Sequence, residues 1–391
     1  MVALLTLILG RMPIGWLQLS HNRGRLAVAL GGVVFANVLI FMQLGFMGAL
    51  IESIRMPYAI MNADLLITAS DANTLLDGGP LPRARMYEAL GVPGVASATA
   101  VHHGRLDWKQ PDGTVRGLDV FGIDPSSHAF SQPGIEAAAD RLTEADTAVI
   151  DRRTRKVDPA IFDAIDAGDP ASFEANRRTL RLVGTFSLGG GFAADGYMVV
   201  SDQTFLRLFA SRAAGAPNLI FVRAAPGADV LALKAAVGAA MSDQDSKVRT
   251  IPEAQADEQS FQTTQKPVGI VFGFGVVMGA LVGVVIVYQV LSTDVADHMR
   301  EYATFKAIGY DGRFFLGVVF EEAALLALLG FIPGFWLSMG LYHLVRLGAE
   351  LPVEMTAPRA LGVLAATMAM CAVSGAIATR RLARADPADL F

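Results

Sequence analysis

The stretch "STDVADHMREYATFKAIGYDGRFF", Ser292 to Phe315, decides the fold. It is charged and starts like a helix, yet it interrupts a region that is otherwise almost continuously apolar. Val268–Leu291 before it holds no charged residue, and Phe314–Val345 after it holds only Glu321 and Glu322 near its start. Crossing a bilayer takes about 20 apolar residues. The flanks therefore read as membrane spans, and the quoted stretch as a polar segment that surfaces between them. Two further runs reach spanning length, Leu26–Ile51 and Ala360–Ala378. The run from Phe314 to Val345 is too long for one straight crossing, and Pro333-Gly334 predicts a kink or tilt within it.

Bulk composition agrees. Of 391 residues, 53% are hydrophobic and only 18% charged, with mean hydropathy +0.43. That is too apolar for an ordinary soluble globule and long enough for two or more domains. A formal net charge of −5 supplies no basic field for nucleic acid. Cys371 is the lone cysteine, so no intramolecular disulfide forms and cysteine usage says nothing of the compartment. The opening "MVALLTLILGRM" lacks a basic leader and a small-residue cleavage site, and reads better as a membrane-surface helix ending at Arg11 than as a signal peptide.

Lysine and arginine near the span ends set the orientation. Arg11, Arg23 and Arg25 precede the first span, Arg300, Lys306 and Arg313 lie between the second and third, and Arg380, Arg381 and Arg384 follow the fourth. The loop between the third and fourth holds only Arg346 and Arg359. Both termini and the quoted stretch are expected on the cytoplasmic side. The predicted fold class is a membrane protein with four transmembrane α-helices and a large extracytoplasmic α+β domain inserted between spans 1 and 2. In order, the expected parts are an N-terminal amphipathic segment (1–25), span 1 (26–51), the outer domain (52–265), span 2 (268–291), the cytoplasmic loop (292–313), span 3 (314–345), a short outer loop (346–359), span 4 (360–378) and a cytoplasmic tail (379–391).

The outer domain is mildly acidic and α+β in pattern. "ADLLIT" (Ala63–Thr68) reads as a strand and "PRARMYEALG" (Pro82–Gly91) as a helix stopped by glycine. "VASATAVHHGRLDW" and "VRGLDVFGI" form a hairpin around "QPDGT". "TLRLVGTFSL", "GYMVVSD" and "NLIFVRA" read as strands, with "QTFLRLFA" and "DVLALKAAVGAAM" as helices. The less regular Gly134–Glu174 is expected to form an inserted second lobe. No chemistry stands out. "SLGGGFAADG" (Ser187–Gly196) lacks the Lys-Ser/Thr of a P-loop and reads as a turn. His102 and His103, adjacent in a strand, point to opposite faces and cannot share a metal. No metal site and no catalytic set is expected.

Within the quoted stretch, Val295, Met299, Tyr302, Phe305 and Ile308 recur at helical spacing, ringed by Asp294, Asp297, Arg300, Glu301 and Lys306, with Gly309 as the C-terminal stop. A plain hairpin between spans needs only a few polar residues. A helix tethered at both ends and partly apolar on its exposed side is built to dock, with Met299, Arg300, Glu301, Tyr302 and Phe305 as the docking face; the bland alternative is a solvated loop helix. In span 2, Gly275, Gly279 and Gly283 repeat every four residues, a stripe that lets helices approach closely in lipid, within the bundle or across a dimer. Glu321 and Glu322 are expected to reach water or Arg313 as structural anchors.

These residues carry a resemblance. "REYATFKAIGY" resembles the coupling-helix signature of MacB/FtsX-type ABC transporter permeases. The match is closer to the DevC subfamily in "GWLQLSHNRGRLAVALGGVVFANVLIFMQLGF" (Gly15–Phe46), "VYQVLSTDVADHMREYATFKAIGY" (Val287–Tyr310), "GFIPGF", "MCAVSGAIA", the terminal "ADPADLF", "FAADGYMVVSDQTFLRLF" and "APGADV". The resemblance implies the transmembrane subunit of an ATP-driven exporter in the bacterial inner membrane, working as a homodimer. The implied partners are a separate DevA-like ABC ATPase that holds ATP and magnesium, a DevB-like periplasmic adaptor (membrane fusion protein) and a TolC-like outer-membrane channel, with cargo such as glycolipids. No G-x-x-x-x-G-K-[ST] occurs in the chain, so no cofactor is expected on it. Two other functions share the architecture: a lipoprotein-releasing permease of the LolC/LolE type, and an FtsX-like signalling permease that activates a peptidoglycan hydrolase.

Overall fold

The structure, a computed structural model, describes residues 14–21, 23–110, 113–169, 171–241, 245–299, 301, 304, 308–310 and 312–384. The chain divides into two compact units. Of the described residues, those up to Gly48, within Pro267–Ala349 and from Val353 onward form a helical bundle, and those within Ala49–Lys266 and Glu350–Pro352 form an α/β unit.

The bundle is built from a short helix α1 (Ile14–His21) and long helices α2 (Arg23–Ala59), α10 (Pro267–Asp297), α11 (Gly312–Ala349) and α12 (Ala357–Arg384). The four long ones are long and apolar enough to cross a membrane. Hydrocarbon offers a peptide group no partner, so an apolar run there satisfies its N–H and C=O groups internally, as a helix. All four exceed the expected spans. Helix α2 continues past Ile51 to Ala59 without a break, and its last residues, from Ala49, belong to the α/β unit. Pro333 lies inside the continuous helix α11. Side chains such as Ile270, Val271, Phe274, Val277, Leu281 and Val285 of α10 are exposed, as on a lipid-facing surface. Val33, Leu291, Val319, Leu326 and Cys371 are buried in one end of the bundle core, and Ile40, Phe41 and Val363 in the other. Few polar groups enter it. Thr367 Oγ1 donates to Asn37 Oδ1 at 2.6 Å, Ser374 Oγ to the Val284 carbonyl at 2.9 Å, and the Tyr342 hydroxyl to the Phe41 carbonyl. Each ties two helices together where unpaired polar atoms would be costly.

The α/β unit centres on a nine-stranded sheet in the order β5 (Ala171–Ala175), β6 (Arg178–Phe186), β4 (Thr147–Asp151), β7 (Gly196–Ser201), β3 (Val115–Ile123), β2 (Val95–Lys109), β8 (Leu219–Ala224), β1 (Leu65–Ala69) and β9 (Ser246–Thr250). Strand β2 (Val95–Lys109) spans fifteen residues and serves both halves. Its first part, Val95–Val101, pairs with β8 (Leu219–Ala224); its second, His102–Lys109, pairs with β3 (Val115–Ile123). The first half runs β1 (Leu65–Ala69), α3 (Ala84–Leu90), β2, β8, α8 (Val230–Ala240) and β9 (Ser246–Thr250), all neighbours antiparallel in the order β9-β1-β8-β2. That is the split βαβ arrangement of a ferredoxin-like lobe. Its core includes Leu65, Ile67, Ala89, Ile220, Val222 and Val237.

Residues 134–174 do not make a lobe of their own. They contribute α4 (Pro133–Ala137), α5 (Ala139–Leu142), β4 (Thr147–Asp151), α6 (Pro159–Ala167) and β5 (Ala171–Ala175) to a larger insertion that opens midway along β2 and includes β3, β6 (Arg178–Phe186) and β7 (Gly196–Ser201). The physical reason is the pairing of β4, which is parallel to β6, antiparallel to β7 and fully buried. Trp108 of β2 and Phe173 of β5, ring centroids 4.9 Å apart, close the core of this half.

Helix α7 (Asp202–Leu208) sets Phe205 into a space made by two glycines. A Cβ on Gly104 would lie 2.8 Å from Phe209 and 3.1 Å from Phe205, and one on Gly122 would lie 2.5 Å from Phe205. His102 stacks on the Phe205 ring with centroids 5.3 Å apart and is fully buried. Burial, helped by nearby Arg83, pulls its imidazole down to about 4. The unfolded chain, with an ordinary histidine near 6.5, binds the proton first, so this residue lowers stability as pH falls from about 6.5 to about 4. Relative to a His102→Leu variant, the full chain should lose roughly 3 kcal/mol over that window, at most ~1.4 kcal/mol per pH unit. Parallel urea unfolding at pH 7.5 and 4.5 checks this, and equal pH dependence in the two proteins would contradict the assignment.

Candidate functional site

The end of α10 carries a group of charges that the sequence scatters over three elements. Asp294, Asp297 and His298 lie there, and the chain reaches them by extending one apolar helix past its last greasy turn. Arg25, at the start of α2, meets both aspartates: Nη2 is 2.5 Å from Asp297 Oδ2, and Nη1 is 3.7 Å from Asp294 Oδ1. His298 Nδ1 is 3.0 Å from the Asp294 carbonyl and 3.6 Å from its Oδ2. Glu322 of α11 is buried close by, with neither of its carboxylate oxygens hydrogen-bonded. Helix α1 lies over it, so that a Cβ on Gly15 would come within 2.9 Å of Glu322 Cγ. Both Glu321 and Glu322 are buried instead of reaching water, Glu322 completely, and α1 covers Glu322. This hub fixes the root of the segment that follows Asp297 to α2.

That segment is the expected docking helix. Arg300, Tyr302, Phe305 and Lys306 lie outside the described residues. Of the rest, Met299 packs half-buried against the bundle core, Glu301 and Thr304 are exposed, and Ile308 is 71% exposed. Gly309 has φ +105°, a left-handed value that glycine adopts freely at a helix stop. Exposed Ile308 and exposed Glu301 give the segment both an apolar and an acidic side chain at its surface.

The glycine stripe of α10 faces inward. A Cβ on Gly279 would meet Ile40 at 2.9 Å and Leu39 at 3.5 Å, one on Gly275 would press on Gln43, and one on Gly283 on Met370 and Ala36. The three thus admit α2, and at Gly283 also α12, at close range.

In the α/β unit, three helices or loops converge on Glu258 of α9 (Ile251–Thr264). Its Oε2 accepts from the Tyr58 hydroxyl at 2.8 Å and from the Leu75 amide at 2.8 Å. Burial pushes the Glu258 carboxyl above its usual range, and these two donors pull it back. Tyr58 sits at the outer end of α2 and α9 leads into α10, so one carboxylate ties together the two helices by which the chain enters and leaves the unit. Its helix is started by a reciprocal capping box, Thr250 with Glu253. The glycine-rich turn is likewise structural. Asp151 accepts from the Leu188 amide at 2.9 Å and the Gly189 amide at 2.7 Å. His102 and His103 take opposite sides of β2: His102 on Phe205, His103 with Nε2 3.6 Å from Asp119 Oδ1. No group of three or more metal-ligating side chains occurs among the described residues.

Two family descriptions match the chain in tandem. The MacB-like periplasmic core domain matches residues 26–240, and the FtsX-like permease C-terminal domain matches 273–387. The chain belongs to the MacB/FtsX-like ABC permease family. None of the curated proteins matches it. Solved structures similar to it include the periplasmic region of MacB from Actinobacillus actinomycetemcomitans, at 12% identity and TM-score 0.35, covering 50% of this chain and 92% of that one. The extracellular domain of the noncanonic ABC-type transporter YknZ from Gram-positive bacteria matches at 12% and 0.34, covering 48% and 98%. The family is one of transmembrane subunits that are not themselves ATPases, and it implies an ABC ATPase partner.

In the sequence Arg25 marks only the orientation of the first span, and neither Tyr58 nor Glu258 stands out. Only the pairing of distant elements shows what they hold, although a glutamate on a helix between a folded domain and a membrane span is a signal of interest. For this permease, Glu258→Ala strands the Tyr58 hydroxyl and the Leu75 amide, costing roughly 1–3 kcal/mol of stability. Glu258→Gln keeps an acceptor and should lose less. Thermal unfolding of the purified full chain measures both, and an Ala variant as stable as wild type would contradict the tie.

Proposed function

We propose that this permease transmits ATP-driven motion from a separate ABC ATPase through the 294–309 segment to the α/β unit, as the membrane subunit of a DevC-type envelope exporter. The observation that carries the proposal is the charged segment between α10 and α11, anchored at its root by Arg25, Asp294 and Asp297 and exposed beyond it at Glu301 and Ile308. A solvated hairpin needs neither the buried anchor nor the exposed apolar residue.

The mechanism is mechanical. ATP and magnesium belong to the partner, whose closure pushes the segment from the cytoplasmic side. Because Asp294 and Asp297 hold its root to α2, the push moves α2 as a rigid rod, and the unbroken helix runs from Arg23 to Ala59 into the α/β unit. There Tyr58 and Glu258 join it to α9, so both connections move together. Two copies acting in concert would close or shear their α/β units and expel an amphiphilic cargo toward an adaptor and an outer-membrane duct. Both termini then lie in the cytoplasm and the protein in the inner membrane.

Affinity purification of the full chain in mild detergent tests this. Wild type should bring down an ABC ATPase and a membrane fusion protein. Glu301→Lys and Tyr302→Ala should each cut ATPase recovery at least about tenfold by misplacing charge or removing an apolar anchor. Membrane insertion should be unchanged. Equal recovery with both variants refutes the docking face; recovery of a peptidoglycan hydrolase in place of the fusion protein refutes export.

A further inference from the structure

Although Ala349 before it and Val353 after it belong to the helical bundle, the short run Glu350–Pro352 folds as part of the α/β unit. The contact responsible is specific: Glu350 Oε2 accepts the backbone amide of Lys156 at 3.0 Å. Both residues sit in the left-handed region, Glu350 at φ +51° and Lys156 at φ +52°. Non-glycine residues rarely take that conformation, and it persists where surrounding contacts over-determine it. The other side of Lys156 is also held, its carbonyl accepting from Gln110 Nε2 at 3.3 Å.

The turn that presents the Lys156 amide is itself braced. Thr154 Oγ1 donates to the Asp151 carbonyl at 2.6 Å, and the Arg155 amide donates to the Asp195 carbonyl at 2.9 Å. The Arg155 guanidinium reaches the Gly191 carbonyl at 2.7 Å and Asp195 Oδ1 at 2.9 Å. Gly191 lies against Ser53, and the next amide, Phe192, donates to Ser53 Oγ at 3.3 Å. Ser53 is on the outer end of α2. Hydrogen bonds joined by single peptide links, Arg155–Lys156 and Gly191–Phe192, therefore lead from the loop between α11 and α12, through the 151–156 turn and the glycine-rich turn, to the outer end of α2.

We propose that Glu350 is a positioning residue: its carboxylate latches the α11–α12 loop to the 151–156 turn, so that the glycine-rich turn against Ser53 responds to that loop as well as to α2. The latch rests on the transmission function argued above for its use, but not for its existence.

Hydrogen exchange of the full chain in nanodiscs tests the latch with Glu350→Gly and Glu350→Gln. Glycine adopts φ +51° without strain, so the first variant removes the carboxylate without disturbing the loop backbone. Exchange of the peptide containing Lys156 should rise about tenfold in Glu350→Gly. It should stay near wild type in Glu350→Gln, whose amide oxygen still accepts. A second arm uses the complex with its ABC ATPase and a non-hydrolysable ATP analogue. Nucleotide should change exchange in the 187–196 turn of wild type and Glu350→Gln and leave it unchanged in Glu350→Gly, with ATPase recovery equal in all three. Wild-type exchange at Lys156 in Glu350→Gly, or a persisting nucleotide response in that variant, overturns the proposal. If no ATPase accompanies wild type, it is the transmission function that fails, and the exchange at Lys156 alone decides the latch.

Discussion

Peptide groups in hydrocarbon have no water to turn to, and this constraint organises the whole chain. It makes four apolar runs into continuous helices and, among the described residues, leaves few charged groups between their ends. Among the polar atoms inside the bundle, Asn37 with Thr367, Ser374 with the Val284 carbonyl and Tyr342 with the Phe41 carbonyl act as fixed points between helices. Small residues do the complementary work. Gly279 lets α10 approach Ile40, and Gly334 brings α11 to within 3.0 Å of Asn37 Cβ for a notional Cβ.

Rigid rods need firm ends, and both ends of α2 are firm. At its start Arg25 holds Asp294 and Asp297. At its far end Tyr58 donates to Glu258, and Ser53 accepts from the turn around Phe192. A helix clamped at each end by charge or hydrogen bonding, with glycine-lined contacts along its length, is suited to transmit displacement with little loss in bending. The transmission proposed for this permease calls for such a part.

The α/β unit shows how a sheet can serve two lobes at once. Strand β2 gives its first six paired positions to a ferredoxin-like lobe and the rest to an inserted lobe, so that two cores share one strand. The glycines at 104 and 122 are spent on Phe205, and His102 is sealed beneath it. The residues that resemble catalytic types here are occupied with packing and turn formation: Asp151 holds amides, His102 an aromatic ring, and His103 faces Asp119.

Hydropathy alone, read over runs of about 20 residues, determined the four helices, the place of the large domain between the first and second, and the exceptional character of Ser292–Phe315, because burial in lipid depends on local composition. Alternation and turn residues likewise located the β2–β3 hairpin and the strands at 63–68, 196–201 and 219–224. The region 134–174 was not legible, since β4 owes its place to β6 and β7, neither of them adjacent to it in the chain. The burial of Glu322 beneath α1, Arg25 meeting Asp294, Tyr58 meeting Glu258 and Glu350 meeting Lys156 were equally invisible. Each joins residues far apart in sequence through side-chain geometry, and such pairings exist only once tertiary packing has brought the elements together.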